Sequence, residues 1–378
     1  MTDSDVKALI LAATAPDDEA GRAIGRIGVA KAVSVLLDEL VSRADLDDIG
    51  DHPTVTVRFD LAFAGEVTGH VLKVDKGGAV HDGGPDAEAD AVVSQDLTDL
   101  LRGVYGIRAQ RTNPTRSISW KHLKTPSAFV QPPWVFTTVR RLLAGSQDSP
   151  SDLADLSIRF DSDKWGLHFY TPHYERHFAP LRDLPVTVLE IGVGGYSDPD
   201  RGGGSLRMWK RYFHRGTVHG VDTYDKSGLE EQRIDILQGS QSDPEFLARL
   251  AEHTGPLDIV IDDGSHVSSD VVTSFQHLFA QVRPGGLYVV EDLQMSYWPG
   301  YGGNSQELND PATSVGFVKT LVDGLHHEEF EPAEARVAAP TDTQVAGLHF
   351  YHNLVIIEKA SNTEGTVPAW IPRRQVSR

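Results

Sequence analysis

Apolar residues recur at helical spacing from Ser4 to Ala12 and again from Ala23 to Ala44, where Ile24, Ile27, Val33, Leu36, Leu37, Leu40 and Val41 share a face. This spacing predicts helices. At Val55 the period falls to two: Val55, Val57, Phe59, Leu61 and Phe63 alternate with other residues, and Gly65 to Val74 reads as the returning strand. Turns are expected at Gly77-Gly78 and Gly83-Gly84-Pro85. Asp96 can cap a helical segment running to Tyr105, and Phe136 to Leu143 continues the helical content. Residues 1–150 therefore read as an α+β domain. The small, polar stretch Ala144 to Asp152 separates them from a second domain, 151–378.

The second half has another texture. Val186 to Gly192, Thr217 to Asp222, Leu257 to Asp262 and Gly286 to Glu291 are short, nearly continuous apolar runs, the pattern of parallel strands buried on both faces. Helical periodicity fills the intervals at Ser205 to Phe213, Asp243 to His253 and Ser268 to Val282. This alternation predicts an α/β fold with a Rossmann-like, doubly wound sheet. Gln344 to Tyr351 and Asn353 to Lys359 read as a terminal antiparallel hairpin turning at His352-Asn353.

In such sheets ligands sit outside the carboxyl ends of the strands. The first strand ends in Glu190-Ile191-Gly192-Val193-Gly194-Gly195, and the next ends at Asp222, whose carboxylate can accept both hydroxyl hydrogens of a ribose. NAD would use the same pair. However, Ser197 stands where a third glycine would be, and no helix follows the turn at once to clasp a pyrophosphate. A cofactor with a ribose and no pyrophosphate fits better than a dinucleotide.

Two further strand ends are acidic. IVIDDGSH places Asp262, Asp263 and His266 at one, and VVEDL places Glu291 and Asp292 at the next. Asp263, Glu291 and Asp292 supply the hard oxygens that Mg²⁺ prefers. His266 could remove the proton of a hydroxyl held there. Upstream, Asp161 to Pro180 is dense in aromatics and His; it is either a helix packed on the sheet or a lining for cofactor or substrate through Tyr170 or Tyr174. The Gly-rich segment with Tyr297, Trp298 and Tyr301 is long enough to act as a lid. His326-His327, His349 and His352 read as solvated residues without chemistry.

Charge narrows the partners. With 54 Asp and Glu against 35 Lys and Arg, a formal charge of -19, the chain would repel a phosphate backbone, so no nucleic-acid partner is expected. The absence of Cys excludes thiolate metal sites and Cys nucleophiles and favours a cytoplasmic location. No export signal or membrane span is read.

Taken together, DKWGLHFYTPHYERHF, LEIGVGG, GGSLRMWKRYF, GVDTYDKS, QGSQSD, DIVIDDGSHVSSD and RPGGLYVVEDLQMSYW resemble the metal-dependent O-methyltransferases of antibiotic deoxysugars. The resemblance spans roughly residues 156–305, and IDDGSH with VEDL is its specific part. It implies a class I S-adenosylmethionine methyltransferase domain, with Mg²⁺ on Asp263, Glu291 and Asp292 and His266 as general base. Glu190, Gly192, Gly194 and Asp222 would hold the cofactor, with Gln241 or its neighbours near the adenine. It also implies an N-terminal auxiliary domain that builds a homo-oligomer, dimer or tetramer, and helps shape a pocket for a glycosylated small molecule. A catechol-type metal-dependent O-methyltransferase and a non-catalytic lipid- or polyketide-binding scaffold are the alternatives.

Overall fold

Gly28 divides the helix expected from Ala23 to Ala44. Its φ of 96° ends α2 (Asp17–Ile27) and opens α3 (Val29–Arg43), which follow α1 (Asp3–Ala12). The computed structural model describes residues 3–46, 51–75, 78–82, 88–110, 113–121, 133–146, 152–330 and 339–363. The turns expected at Gly77 and at Gly83-Gly84-Pro85, and the centre of the stretch between the two halves, lie outside the described residues.

The chain divides into two compact units. One comprises Met1–Ser151 with Arg182–Pro185 and Phe213–Arg215; the other comprises Asp152–Leu181, Val186–Tyr212 and Gly216–Arg378. In the first unit, β1 (Val55–Phe63), β2 (Glu66–Asp75), β3 (Gly78–Asp82), β4 (Ala91–Asp96) and β5 (Ser117–Trp120) form a five-stranded sheet in the order β3-β2-β1-β4-β5. β1 runs antiparallel to β2 and parallel to β4. The alternation read from Val55 buries Val55, Val57, Phe59 and Leu61 against Leu36, Leu40 and Leu100 of the helices. Asp96 caps α4 (Leu97–Tyr105) by accepting the Thr98 and Asp99 N–H groups, and α5 (Pro133–Ala144) completes the unit. β3, β4 and β5 are additions to the sequence reading.

The second unit begins with α6 (Leu153–Arg159) and α7 (Thr171–Phe178) and then alternates strand and helix: β6 (Thr187–Ile191), α8 (Gly204–Tyr212), β7 (Thr217–Asp222), β8 (Ile234–Gln238), α9 (Pro244–Thr254), β9 (Leu257–Asp262), α10 (Ser268–Leu278), β10 (Val282–Val290), α11 (Ser314–Gly324), β11 (Val345–Tyr351) and β12 (Leu354–Lys359). Its seven strands lie in the order β11-β12-β10-β9-β6-β7-β8. β6 to β10 are parallel, and β12 and β11 close the sheet antiparallel, as the doubly wound pattern and terminal hairpin predict. The strand order reverses between β6 and β9, so the crevice for a ligand opens at their carboxyl ends. Among the described residues, no helix is long and apolar enough to cross a membrane.

Candidate active site

The crevice is shaped by close backbone approach. Gly192 follows β6 at φ 100° and donates its N–H to Val221 O at 2.8 Å; a Cβ there would lie 2.1 Å from Asp263 O. Gly192→Ala is therefore expected to destabilise the fold: the dihedral alone costs about 1–3 kcal/mol, and the clash adds to it. A urea denaturation curve checks this. Gly194, at φ 81°, turns the chain into the segment before α8. The buried ammonium of Lys226 pins that segment by donating to Asp198 O (2.6 Å) and Arg201 O (2.8 Å).

At the end of β7, Asp222 accepts Val193 N–H on Oδ2 (3.1 Å) and Tyr224 N–H on Oδ1 (2.9 Å). These bonds fix the plane of the carboxylate and leave each oxygen a further lone pair for a ribose hydroxyl. Glu190 is fully buried; its Oε2 accepts Trp209 Nε1–H at 2.9 Å, and burial raises its carboxyl to about 7 against the opposing pull of Lys164.

Lys164 is the residue the sequence reading missed. Its fully buried Nζ lies 2.7 Å from Glu291 Oε1, 2.8 Å from Asp263 Oδ2 and 3.2 Å from Glu190 Oε1. Desolvation pulls its pKa down, but these three carboxylates outweigh it and hold the ammonium protonated. Burial, then mutual repulsion, raises the Glu291 carboxyl well above the usual range, and burial also raises Asp263. Tyr174 of α7 donates to Glu291, and Tyr170, at the head of the same helix, donates to Asp292 Oδ1 at 2.7 Å. The aromatic segment before β6 thus packs as a helix and also supports the acidic cluster. Lys164 stands four residues after Phe160 in a run of charged and polar residues, where a lysine reads as solvent-exposed.

Donor atoms of Asp263, His266 and Asp292 lie within 4.8 Å of one another. His266 Nε2 is 3.7 Å from Asp292 Oδ2, and a second imidazole, His168 Nε2, is 3.7 Å from Asp292 Oδ1. His266 (φ 56°) and Asp292 (φ 52°) both hold the left-handed conformation that side chains other than Gly rarely adopt. Strain of this kind persists where surroundings over-determine it and clusters at functional sites. The donor set suits a hard divalent cation: Asp263 and Asp292 converge with His266, and the Glu291 carboxylate, bonded to Lys164 and Tyr174, lies beside Asp263 on the same ammonium.

Asp262 and Gln241 take a different part. Gln241 Nε2–H donates to Asp262 Oδ1 (2.9 Å), its Oε1 accepts Ser265 N–H (2.7 Å), and Ser274 donates to Asp262 as well. Both ends of the Gln241 amide are engaged in holding the loop that carries Asp263 and His266. Beyond Asp292, the segment with Tyr297, Trp298 and Tyr301 forms 3₁₀ turns. It is tied down at Ser296, whose Oγ accepts Val315 N–H (2.7 Å) and whose carbonyl accepts Asn304 N–H (2.9 Å). Tyr297 and Trp298 remain exposed.

A seven-stranded sheet of this order, with a Gly-rich turn after its first strand and a ribose-ready carboxylate after its second, defines a class I S-adenosylmethionine-dependent methyltransferase fold. Residues 6–116 match the family described as MycE methyltransferase N-terminal. The chain is 50% identical to 8-demethyl-8-alpha-L-rhamnosyl tetracenomycin-C 2'-O-methyltransferase of Streptomyces olivaceus, covering 90% of this chain and 91% of that one. It is 42% identical to mycinamicin VI 2''-O-methyltransferase of Micromonospora griseorubida, covering 90% and 86%. A solved structure of the MycE methyltransferase of mycinamycin biosynthesis, in complex with Mg, SAH and mycinamycin VI, aligns with a TM-score of 0.87 at 38% identity, covering 99% of this chain and 97% of that one. The chain belongs to this family of antibiotic-sugar O-methyltransferases.

Proposed function

We propose that this protein transfers a methyl group from S-adenosylmethionine to a sugar hydroxyl of a glycosylated macrolide or related polyketide, with His266 as general base. The observation that carries this reading is the meeting of Asp263, His266 and Asp292 within one small volume at the carboxyl ends of adjacent parallel strands. Bound Mg²⁺, held by Asp263, Glu291 and Asp292, supplies Lewis acidity to the hydroxyl and a template for its orientation. Asp222 receives the cofactor ribose, while Glu190, Gly192 and Gly194 shape the bed beside it. Gln241 contributes by keeping the 263–266 loop in place. His266 removes the hydroxyl proton as the sugar oxygen takes the methyl. Lys164, Tyr170 and Tyr174 hold the carboxylates in position, and the bound pair gains by proximity.

The names of the two sugar O-methyltransferase relatives support the substrate class. In this reading the N-terminal domain, 1–150, builds a homo-oligomer and helps shape the substrate pocket. The enzyme works in the cytoplasm on a small glycoside, without nucleic acid or membrane as partner. Mass spectrometry across glycosylated macrolides, other glycosylated polyketides and simple catechols, with S-adenosylmethionine and Mg²⁺, tests it. The expected result is the mass of one CH₂ gained on a glycoside, lost after EDTA and restored by Mg²⁺. Methylation of catechols alone would overturn the sugar reading, and full activity in EDTA would overturn the metal role.

A further inference from the structure

A second group of metal-compatible donors lies at the C-terminal end of α7 and on the terminal hairpin. His177 stands in the last turn of that helix, and His349 and Glu358 stand on β11 and β12. His349 Nε2 is 2.9 Å and His177 Nδ1 is 3.7 Å from the same oxygen, Glu358 Oε1, and one donor atom from each residue lies within 4.8 Å of the others. Tetrahedral Zn²⁺ with bonds near 2.1 Å separates neighbouring ligand atoms by roughly 3.4 Å. The two observed separations straddle that value. We propose that His177, His349 and Glu358 bind a divalent cation of the zinc class, at a site separate from the carboxylate cluster.

Three features favour this. Two imidazoles and one carboxylate select Zn²⁺ and its borderline neighbours over Mg²⁺, which prefers an all-oxygen shell. The other ring nitrogen of His177 is engaged: Nε2 lies 2.9 Å from Tyr351 Oη, and the Tyr351 ring is itself stacked on His173 at 3.8 Å. In the tautomer whose Nε2–H donates to Tyr351, Nδ1 presents its lone pair toward Glu358, the arrangement in which an outer partner orients a metal-bound histidine. Finally, the His177 side chain is 7% exposed while His349 is 38% and Glu358 is 42% exposed, so one face is open for a water as fourth ligand. The His219, Asp235 and His253 group differs: the buried His219 Nε2 has no hydrogen-bond partner to orient its ring. A cation on His177 would tie the end of α7 to the terminal hairpin, and α7 is the helix that aims Tyr170 and Tyr174 at Asp292 and Glu291.

Cobalt reports on this directly. The full chain, stripped with chelator and returned to saturating Mg²⁺, is titrated with Co²⁺, and the visible absorption of four- or five-coordinate cobalt is followed, with Zn²⁺ as competitor. One equivalent is expected to bind with intense bands, displaced by Zn²⁺ and not by Mg²⁺. His349→Gln, on an exposed edge strand, and Glu358→Gln should each weaken binding at least about tenfold, the lower end for loss of even an outer partner. Asp292→Asn should leave it unchanged. The proposal falls if no such bands appear, if they persist at full affinity in both His349→Gln and Glu358→Gln, or if Asp292→Asn abolishes them.

Discussion

His266→Gln is expected to lower kcat about 10²–10⁴-fold, the usual contribution of a positioned general base, while S-adenosylmethionine affinity stays within a few-fold. The imidazole stands 3.7 Å from Asp292, its side chain 21% exposed toward the crevice, so it can reach a hydroxyl presented at the acidic cluster. His266 holds its place in the loop after β9 with a left-handed backbone, φ 56°. His168 sets the control, because it lies at the same distance from the other oxygen of Asp292. His168 also stacks on Tyr170 with ring centroids 4.8 Å apart, a packing role that Gln would only loosen. His168→Gln should therefore lose far less turnover. Single-turnover methyl transfer, with cofactor binding measured by calorimetry, separates the two: near-wild-type chemistry in His266→Gln together with a collapse in His168→Gln would exchange their roles.

The parts of the fold that were legible in the sequence are those where one physical constraint acts alone. β6, β7, β9 and the second half of β10 are buried on both faces, and each appears as a nearly continuous apolar run. β8, IDILQ, is an edge strand with Asp235 and Gln238 partly in solvent, so it lacked that signature. Asp96 was legible as a cap because its role is local, needing only Thr98 and Asp99. Gly28 was absorbed into a helical pattern because apolar spacing continues across it, and only its φ of 96° divides the run. Asp263, His266, Glu291 and Asp292 were proposed together because strand ends of a parallel sheet point the same way. Lys164 carries no such sign, since it becomes buried only when Asp263, Glu291 and Glu190 converge from three strands far along the chain. His168 was hidden likewise among neighbouring aromatics.

Lys164→Met should produce the largest loss of stability in the metal-free protein, about 3–5 kcal/mol, the cost of removing one partner from a buried ion cluster. Met fills most of the volume, so the effect reports charge. Without the ammonium, Asp263, Glu291 and Glu190 face one another in a dry site, and the cheapest remedy is protonation. The sign of the pH dependence follows. Glu190 titrates near 7 in the native protein against an ordinary value of 4.5, so the folded state binds its proton more tightly than the unfolded state does. Its contribution is therefore most favourable below about pH 4.5 and declines as pH rises to about 7. Removing Lys164, which opposes the rise, should extend that decline to higher pH. Urea denaturation from pH 5 to 9 is expected to show the gap between variant and wild type widening with pH. Mg²⁺ should narrow it by returning positive charge to the same oxygens, a gain that binding to the native state alone makes possible. A variant as stable as wild type at neutral pH without metal would mean that the cluster does not depend on this ammonium, and that Tyr170 and Tyr174 suffice to hold it.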